Sequence, residues 1–221
     1  MFAFHTIILA LAAHPKVQHK AQIEVDTLFG QDGLPDRIDL ERLPFLHACV
    51  TEAQRWRPLG AFSVGAFGLP RVASRDEEIN GYIIPKGSSV LINQWTLAHD
   101  PDCYESPDIY DPERYIRDPL GVKKGVPRGS RKPIYTFGAG RRECLGKDYF
   151  FQNIRIALAQ ILWAFDIKPV EELDINVQTG FNPAIVMMPK PFKVHFVPRR
   201  PAESLAREKQ LADEKLRELL G

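Results

Sequence analysis

Residues 137–146 read Phe137-Gly138-Ala139-Gly140-Arg141-Arg142-Glu143-Cys144-Leu145-Gly146 and lead directly into a long apolar-periodic segment. A glycine-rich loop that ends in a cysteine at the mouth of a helix restricts this chain more than any other stretch. With a helix starting near Leu145, Cys144 stands at its positive end, where free N–H groups and the dipole favour a thiolate. Such a thiolate ligates a metal or acts as a nucleophile. Gly138 and Gly140 permit backbone angles that a side chain would forbid and let a flat ligand approach closely. Arg142, two residues before the cysteine, offers a cation to an anionic group on that ligand. Against this, a cysteine without a C-x-x-C partner is commonly a small buried hydrophobe. The residues alone leave both readings open.

The spacing Phe-x-x-Gly-x-Arg-x-Cys-x-Gly is met at every fixed position, by Phe137, Gly140, Arg142, Cys144 and Gly146. It resembles the haem-binding loop of the cytochrome P-450 family. The resemblance implies that Cys144 is the axial ligand of a haem b iron, with Phe137, Gly138, Arg142 and Gly146 forming the cofactor site around it. It implies haem-thiolate monooxygenation, in which one atom of O2 enters a small apolar organic substrate and the other leaves as water. Electrons would come from NADPH through a flavoprotein reductase. A fungal-type microsomal member is expected, at the cytosolic face of the endoplasmic reticulum membrane, with no anchor in this chain.

Two further stretches extend the resemblance. Pro44 and Pro58 bracket a helix, one in its first turn and the other stopping it, with Leu46, Cys49, Val50 and Ala53 as its apolar stripe. Glu52 and Arg55 sit three apart on the opposite side, a spacing that by itself usually marks a solvated pair. Further on, Asp111-Pro112-Glu113-Arg114-Tyr115 resembles the family's Pro-Glu-Arg-Phe stretch, with Tyr115 in place of Phe. The resemblance therefore assigns Glu52, Arg55 and Arg114 to one buried structural network near the haem. Arg71 falls where many members place an arginine on a haem propionate, and a planar guanidinium suits a carboxylate.

Between these motifs the pattern turns to strands. Residues 79–84 and 88–92 flank Pro85-Lys86-Gly87 and are expected to pair across it as a hairpin. Residues 60–70, rich in Gly, Ala and Phe, suit a wall around an apolar pocket. Residues 117–133 read as a long polar loop, whose Lys123, Lys124, Arg128, Arg131 and Lys132 face either solvent or an acidic redox partner. Beyond the cysteine, a helix is expected to about Phe165, then a hairpin of 185–188 with 192–196, with Met187 and Met188 packing inside.

The chain opens with an apolar run to Ala13 that is too short to cross a bilayer and lacks the basic start of a signal peptide. His14-Pro15 breaks it, a second helix follows from Pro15, and Gly30 stops that helix. In the resembled family the first run is the end of the long helix over the haem. Its Ala-Gly-x-x-Thr stretch, which handles oxygen and protons, would by register fall just before Met1.

The whole is expected to be mainly α with a small antiparallel β-sheet, the C-terminal half of the cytochrome P-450 fold over residues 1–198. A charged helical tail is expected over 199–221. The competing reading of function is a non-catalytic fragment or haem-binding remnant of such an enzyme. A cysteine hydrolase fares worse, because no motif places a His/Asp pair. A net charge of +1 gives no reason to expect nucleic acid. Three widely spaced cysteines suggest no disulfide framework and a reducing compartment. Of these, Cys49 is expected in the core and Cys103 in a polar loop.

Overall fold

The computed structural model describes residues 2–30, 33–58, 70–182 and 187–220. Helix α1 (Phe2–Ala13) is apolar around most of its circumference, with His5 exposed, and such a helix is stable only when largely surrounded. Ile7, Leu9, Ala10 and Leu11 are accordingly buried, with neighbours on α3, β5 and β7 (all three bounded below). Helix α2 (Pro15–Phe29) starts on Pro15, whose missing N–H is an unpaired donor at any helix start, and ends at Gly30 with φ +69°.

Helix α3 (Pro44–Trp56) also begins on a proline, so the donors of its first turn are those of Phe45 and Leu46. Both are taken by the carboxylate of Glu24 on α2, at 2.8 Å each. Burial is the largest influence on that carboxyl and raises its pKa, while the two N–H groups pull the other way. The expected stripe of Leu46, Cys49, Val50 and Ala53 is fully buried.

Four short strands follow α3. Strands β1 (Arg71–Val72), β2 (Glu77–Ile79), β3 (Tyr82–Ile84) and β4 (Ser89–Val90) form two antiparallel pairs, β2 with β3 and β1 with β4. The hairpin expected across Pro85-Lys86-Gly87 is therefore not formed. The tight turn is Asn80-Gly81, with φ +52° and +81°, a dipeptide whose positive φ values match the twist of paired strands. Pro85-Lys86-Gly87 turns the chain instead toward β1, where the Gly87 N–H reaches the Ala73 carbonyl at 2.8 Å. The wall expected at 60–70 falls, but for Pro70, outside the described residues.

Helices α4 (Gln94–His99) and α5 (Glu113–Arg117) are short and pack on α3. Helix α6 (Lys147–Ala164) buries Phe151, Ile154, Leu158, Leu162 and Trp163 against α2 and α3. It runs straight into β5 (Phe165–Pro169), which pairs antiparallel with β8 (Val194–Pro198), Ile167 opposite Phe196. The other edge of β5 is held by glutamines of α2. Gln18 bonds both the N–H and the carbonyl of Ile167, at 2.6 and 2.9 Å, and Gln22 takes the Phe165 carbonyl at 3.1 Å.

Strands β6 (Phe181–Asn182) and β7 (Met188–Pro189) make the fourth pair. The hairpin expected between 185–188 and 192–196 is thus replaced by two different partnerships. Pro189 and Pro191 lack the N–H groups a continuous ladder would need, so the second segment pairs elsewhere. Residues 185 and 186 lie outside the described residues, while Met187 is buried in a small cluster with Leu9 and Phe181. Helix α7 (Ala202–Leu220) forms the expected tail, with Leu205 packed against the core. No helix among the described residues is long and apolar enough to cross a membrane.

Candidate functional site

The deepest polar feature is built on α3. Glu52 is fully buried and grips Arg55 through two parallel bonds, Nε to Oε2 and Nη2 to Oε1, each 2.8 Å. Glu52 Oε1 also accepts from Arg114 Nε at 3.1 Å and from the Asp111 N–H at 2.9 Å. The remaining guanidinium donors find carbonyls: Arg55 on Ala98 at 2.8 Å and Arg114 on Glu105 at 3.1 Å. Burial works to lower the Arg55 pKa, but the Glu52 carboxylate outweighs it and the pKa is raised. The three side chains named from the sequence thus meet, and with them the loop around α5 is fixed to α3.

That junction carries the approach to the cysteine loop. Tyr115 donates its hydroxyl to the Pro133 carbonyl at 2.8 Å, and Thr136 donates to the Gln54 carbonyl at 3.4 Å. Residues 133–136 are therefore held on α5 and α3 immediately before Phe137. Phe137 then wedges against Phe150 and Phe151 of α6, with ring centroids 5.1 and 5.6 Å away.

The loop itself closes through the Cys144 N–H, which donates to the Phe137 carbonyl at 2.9 Å. Gly138 and Gly140 have φ of +74° and +64°. Helix α6 starts at Lys147 with Gly146 as its cap, two residues later than the expected start at Leu145. A one-turn 3-10 helix at Gly140–Arg142 takes up the intervening chain, and the Cys144 carbonyl receives the Lys147 N–H at 3.3 Å. Cys144 sits just ahead of the helix end.

All three cysteines are free, but only Cys144 is exposed; Cys49 and Cys103 are buried. Cys103, expected in a polar loop, is on a loop yet turned inward, its thiol on Asp100 Oδ2 at 2.9 Å. The Cys144 sulfur borders Gly146, where an added Cβ would come to 3.8 Å. Its neighbour Leu145 is fully exposed, and Arg141 and Arg142 are exposed too. Arg71 on β1 reaches this face and donates to the Arg142 carbonyl at 3.4 Å. An accessible sulfur beside a bare leucine and several guanidinium groups suits a flat, apolar ligand with acidic edges and a soft metal at its centre.

A cleft of about 500 Å³ lies elsewhere, between the α1–α2 junction and β5, lined by Ala12, Pro15, His19, Ile167 and Leu173. Sequence reasoning missed the internal duties of the basic loop. Lys123 donates to the Pro101 carbonyl at 2.6 Å, Arg128 pairs with Asp118, and Lys132 pairs with Glu143 at 3.0 Å. Only the Glu143–Lys147 half of that last contact had a local signal, the i,i+4 spacing.

A buried glutamate–arginine–arginine cluster together with an exposed cysteine on a glycine-rich loop is the combination expected of the cytochrome P-450 fold. The comparisons agree. A family model described as cytochrome P450 matches residues 2–196. A cytochrome P450 monooxygenase of Armillaria gallica is 37% identical over 196 residues, covering 86% of this chain and 37% of that protein. The cytochrome P450 monooxygenase claR of Ampulloclitocybe clavipes is 38% identical over 203 residues, covering 90% and 36%. Among solved structures, a zebra fish cytochrome P450 with abiraterone superposes with a TM-score of 0.74 at 28% identity, over 90% of this chain and 44% of that one. The chain belongs to the cytochrome P450 family. It spans little more than a third of the length of these curated relatives.

Proposed function

We propose that this chain carries the cysteine-bearing side of a haem-thiolate monooxygenase. Cys144 would hold the iron of haem b through its thiolate; Arg142 and Arg71 would pair with the carboxylates of the porphyrin edge. Phe137, Gly138 and Gly146 would shape the surface on which the ring lies. When bound, the haem supplies O2 activation for insertion of one oxygen atom into a small apolar organic substrate. The duties of this chain's own residues are to present the sulfur, balance the acidic edge and keep the loop rigid through Phe137 and the Glu52–Arg55–Arg114 cluster. Electrons would be delivered from NADPH by a flavoprotein reductase, and the setting would be the cytosolic face of the endoplasmic reticulum membrane.

The observation that carries this reading is the exposure of Cys144, alone among three cysteines, on a loop that meets the family's haem-binding spacing. The test is spectroscopic. The haem-loaded protein, reduced and exposed to CO, should show a strongly red-shifted Soret band that Cys144→Ala abolishes. A band that survives the substitution unchanged would remove Cys144 from the iron.

A further inference from the structure

The cysteine loop has two arms, and a single side chain from outside the loop reaches both. Lys132, five positions before Phe137, places Nζ 3.0 Å from Glu143 Oε1 and also donates to the Gly138 carbonyl at 3.4 Å. Gly138 follows Phe137 on the entering arm; Glu143 precedes Cys144 on the leaving arm. The same Glu143 oxygen accepts from Lys147 Nζ at 3.2 Å, on the first residue of α6. One carboxylate oxygen thus joins the loop, the segment before it and the helix after it.

We propose that Lys132 is a positioning residue for Cys144. Its ammonium, bridging the Gly138 carbonyl and the Glu143 carboxylate, holds the loop at the width that presents the sulfur and sets the charge beside it. The proposal rests on the reading of Cys144 as the haem ligand. The loop needs such a device, because Gly138 and Gly140 offer no side chains for packing to hold and both occupy left-handed backbone conformations. The main chain contributes one cross-bond, from the Cys144 N–H to the Phe137 carbonyl. An isolated ion pair this exposed contributes little. Here two ammonium groups share one carboxylate oxygen, and one of them also binds backbone. Partners one shell out from a metal ligand restrain its orientation and tune the metal.

The arrangement is specific to Lys132. Its neighbours in the same basic loop turn away from the cysteine: Lys123 to the Pro101 carbonyl, Arg128 to Asp118, Arg131 to the Pro127 carbonyl. The charges also predict a sign. Removing the Lys132 ammonium leaves the surroundings of the sulfur more negative, which favours the oxidised iron. Removing the Glu143 charge does the reverse.

The experiment uses the haem-loaded protein in four forms: parent, Lys132→Ala, Lys132→Arg and Glu143→Gln. Three quantities are read: the rate of haem transfer to an excess of apomyoglobin, the midpoint potential, and hydrogen exchange at the Cys144 amide in haem-free protein. Lys132→Ala should lose haem roughly tenfold faster, at the low end of the usual effect of outer partners on metal sites. It should also exchange the Cys144 amide faster and shift the potential downward, whereas Glu143→Gln shifts it upward. Lys132→Arg should recover the parent's haem retention and potential. Potentials that move in the same direction in Lys132→Ala and Glu143→Gln would overturn the proposal, as would a Lys132→Ala protein indistinguishable from the parent. If Cys144→Ala keeps the red-shifted CO band, the ligand assignment itself falls. If that band is lost and Lys132→Ala changes nothing, only the clamp falls.

Discussion

Glu52 and Arg55 stand three residues apart on α3 and face each other through two 2.8 Å bonds, with side chains 0% and 1% exposed. At the same spacing on a solvated helix they would be worth a few tenths of a kcal/mol. Enclosed here, with Arg114 and the Asp111 N–H on the same carboxylate, they cannot be separated without leaving a buried charge. Glu52→Ala should therefore cost on the order of 3–5 kcal/mol, against roughly 0–1 for an exposed charge. Denaturant midpoints of Glu52→Ala and of Glu78→Ala, at an exposed position on β2, measure the difference. Equal midpoints would contradict the enclosure.

The N-terminus of α3 is closed from another helix. Glu24 receives the N–H groups of both Phe45 and Leu46. Glu24→Ala removes both acceptors at once, and the expected loss is about 1–2 kcal/mol, the upper range for a helix cap. Thermal or chemical unfolding of the variant reads it directly, and Glu24→Gln should fall between parent and alanine.

His99 gives the fold a dependence on pH. Its ring stacks on Trp95 at 3.7 Å, Nδ1 lies 3.1 Å from the Trp95 carbonyl, and Nε2 is buried without a partner among the described residues. Burial first, and then the Arg55 charge, lower its pKa from 6.5 to about 4. The unfolded chain therefore binds the proton more readily than the folded one. The contribution is complete above pH 6.5 and is lost as the pH falls toward 4. At 1.36 kcal/mol per unit of pKa the loss amounts to roughly 3 kcal/mol. His99→Gln should flatten the stability profile across that interval; an unchanged slope would show that the imidazole is not enclosed.

Thiol chemistry should count the exposed cysteine. In the folded, haem-free protein one thiol, Cys144, should react quickly with a disulfide reagent, and three should react after denaturation. Burial raises the pKa of Cys49, and burial together with the Asp100 contact raises that of Cys103, so both are slow for two reasons. Mass mapping of the labelled peptides identifies the fast one. Rapid labelling of Cys103 would place it at the surface.

Much of this protein is legible along the chain because the responsible physics is local. Pro15 and Pro44 start helices and Gly30 stops one through their own backbone constraints, whatever surrounds them. The cysteine loop is recognisable for the same reason, since its glycines, arginine and cysteine act within ten residues. Strand partners were not legible. Two- to five-residue strands carry too little pattern to choose among neighbours, so β4 joined β1 rather than β3, and β8 joined β5 across the chain. The inward turn of Cys103 and the reach of Lys132 to both arms of the cysteine loop belong to the same class. Each depends on what a distant segment places beside it. Residue type and spacing determined which groups could bind or bend; only tertiary packing, by excluding water from some charges and leaving others bare, decided which of them meet.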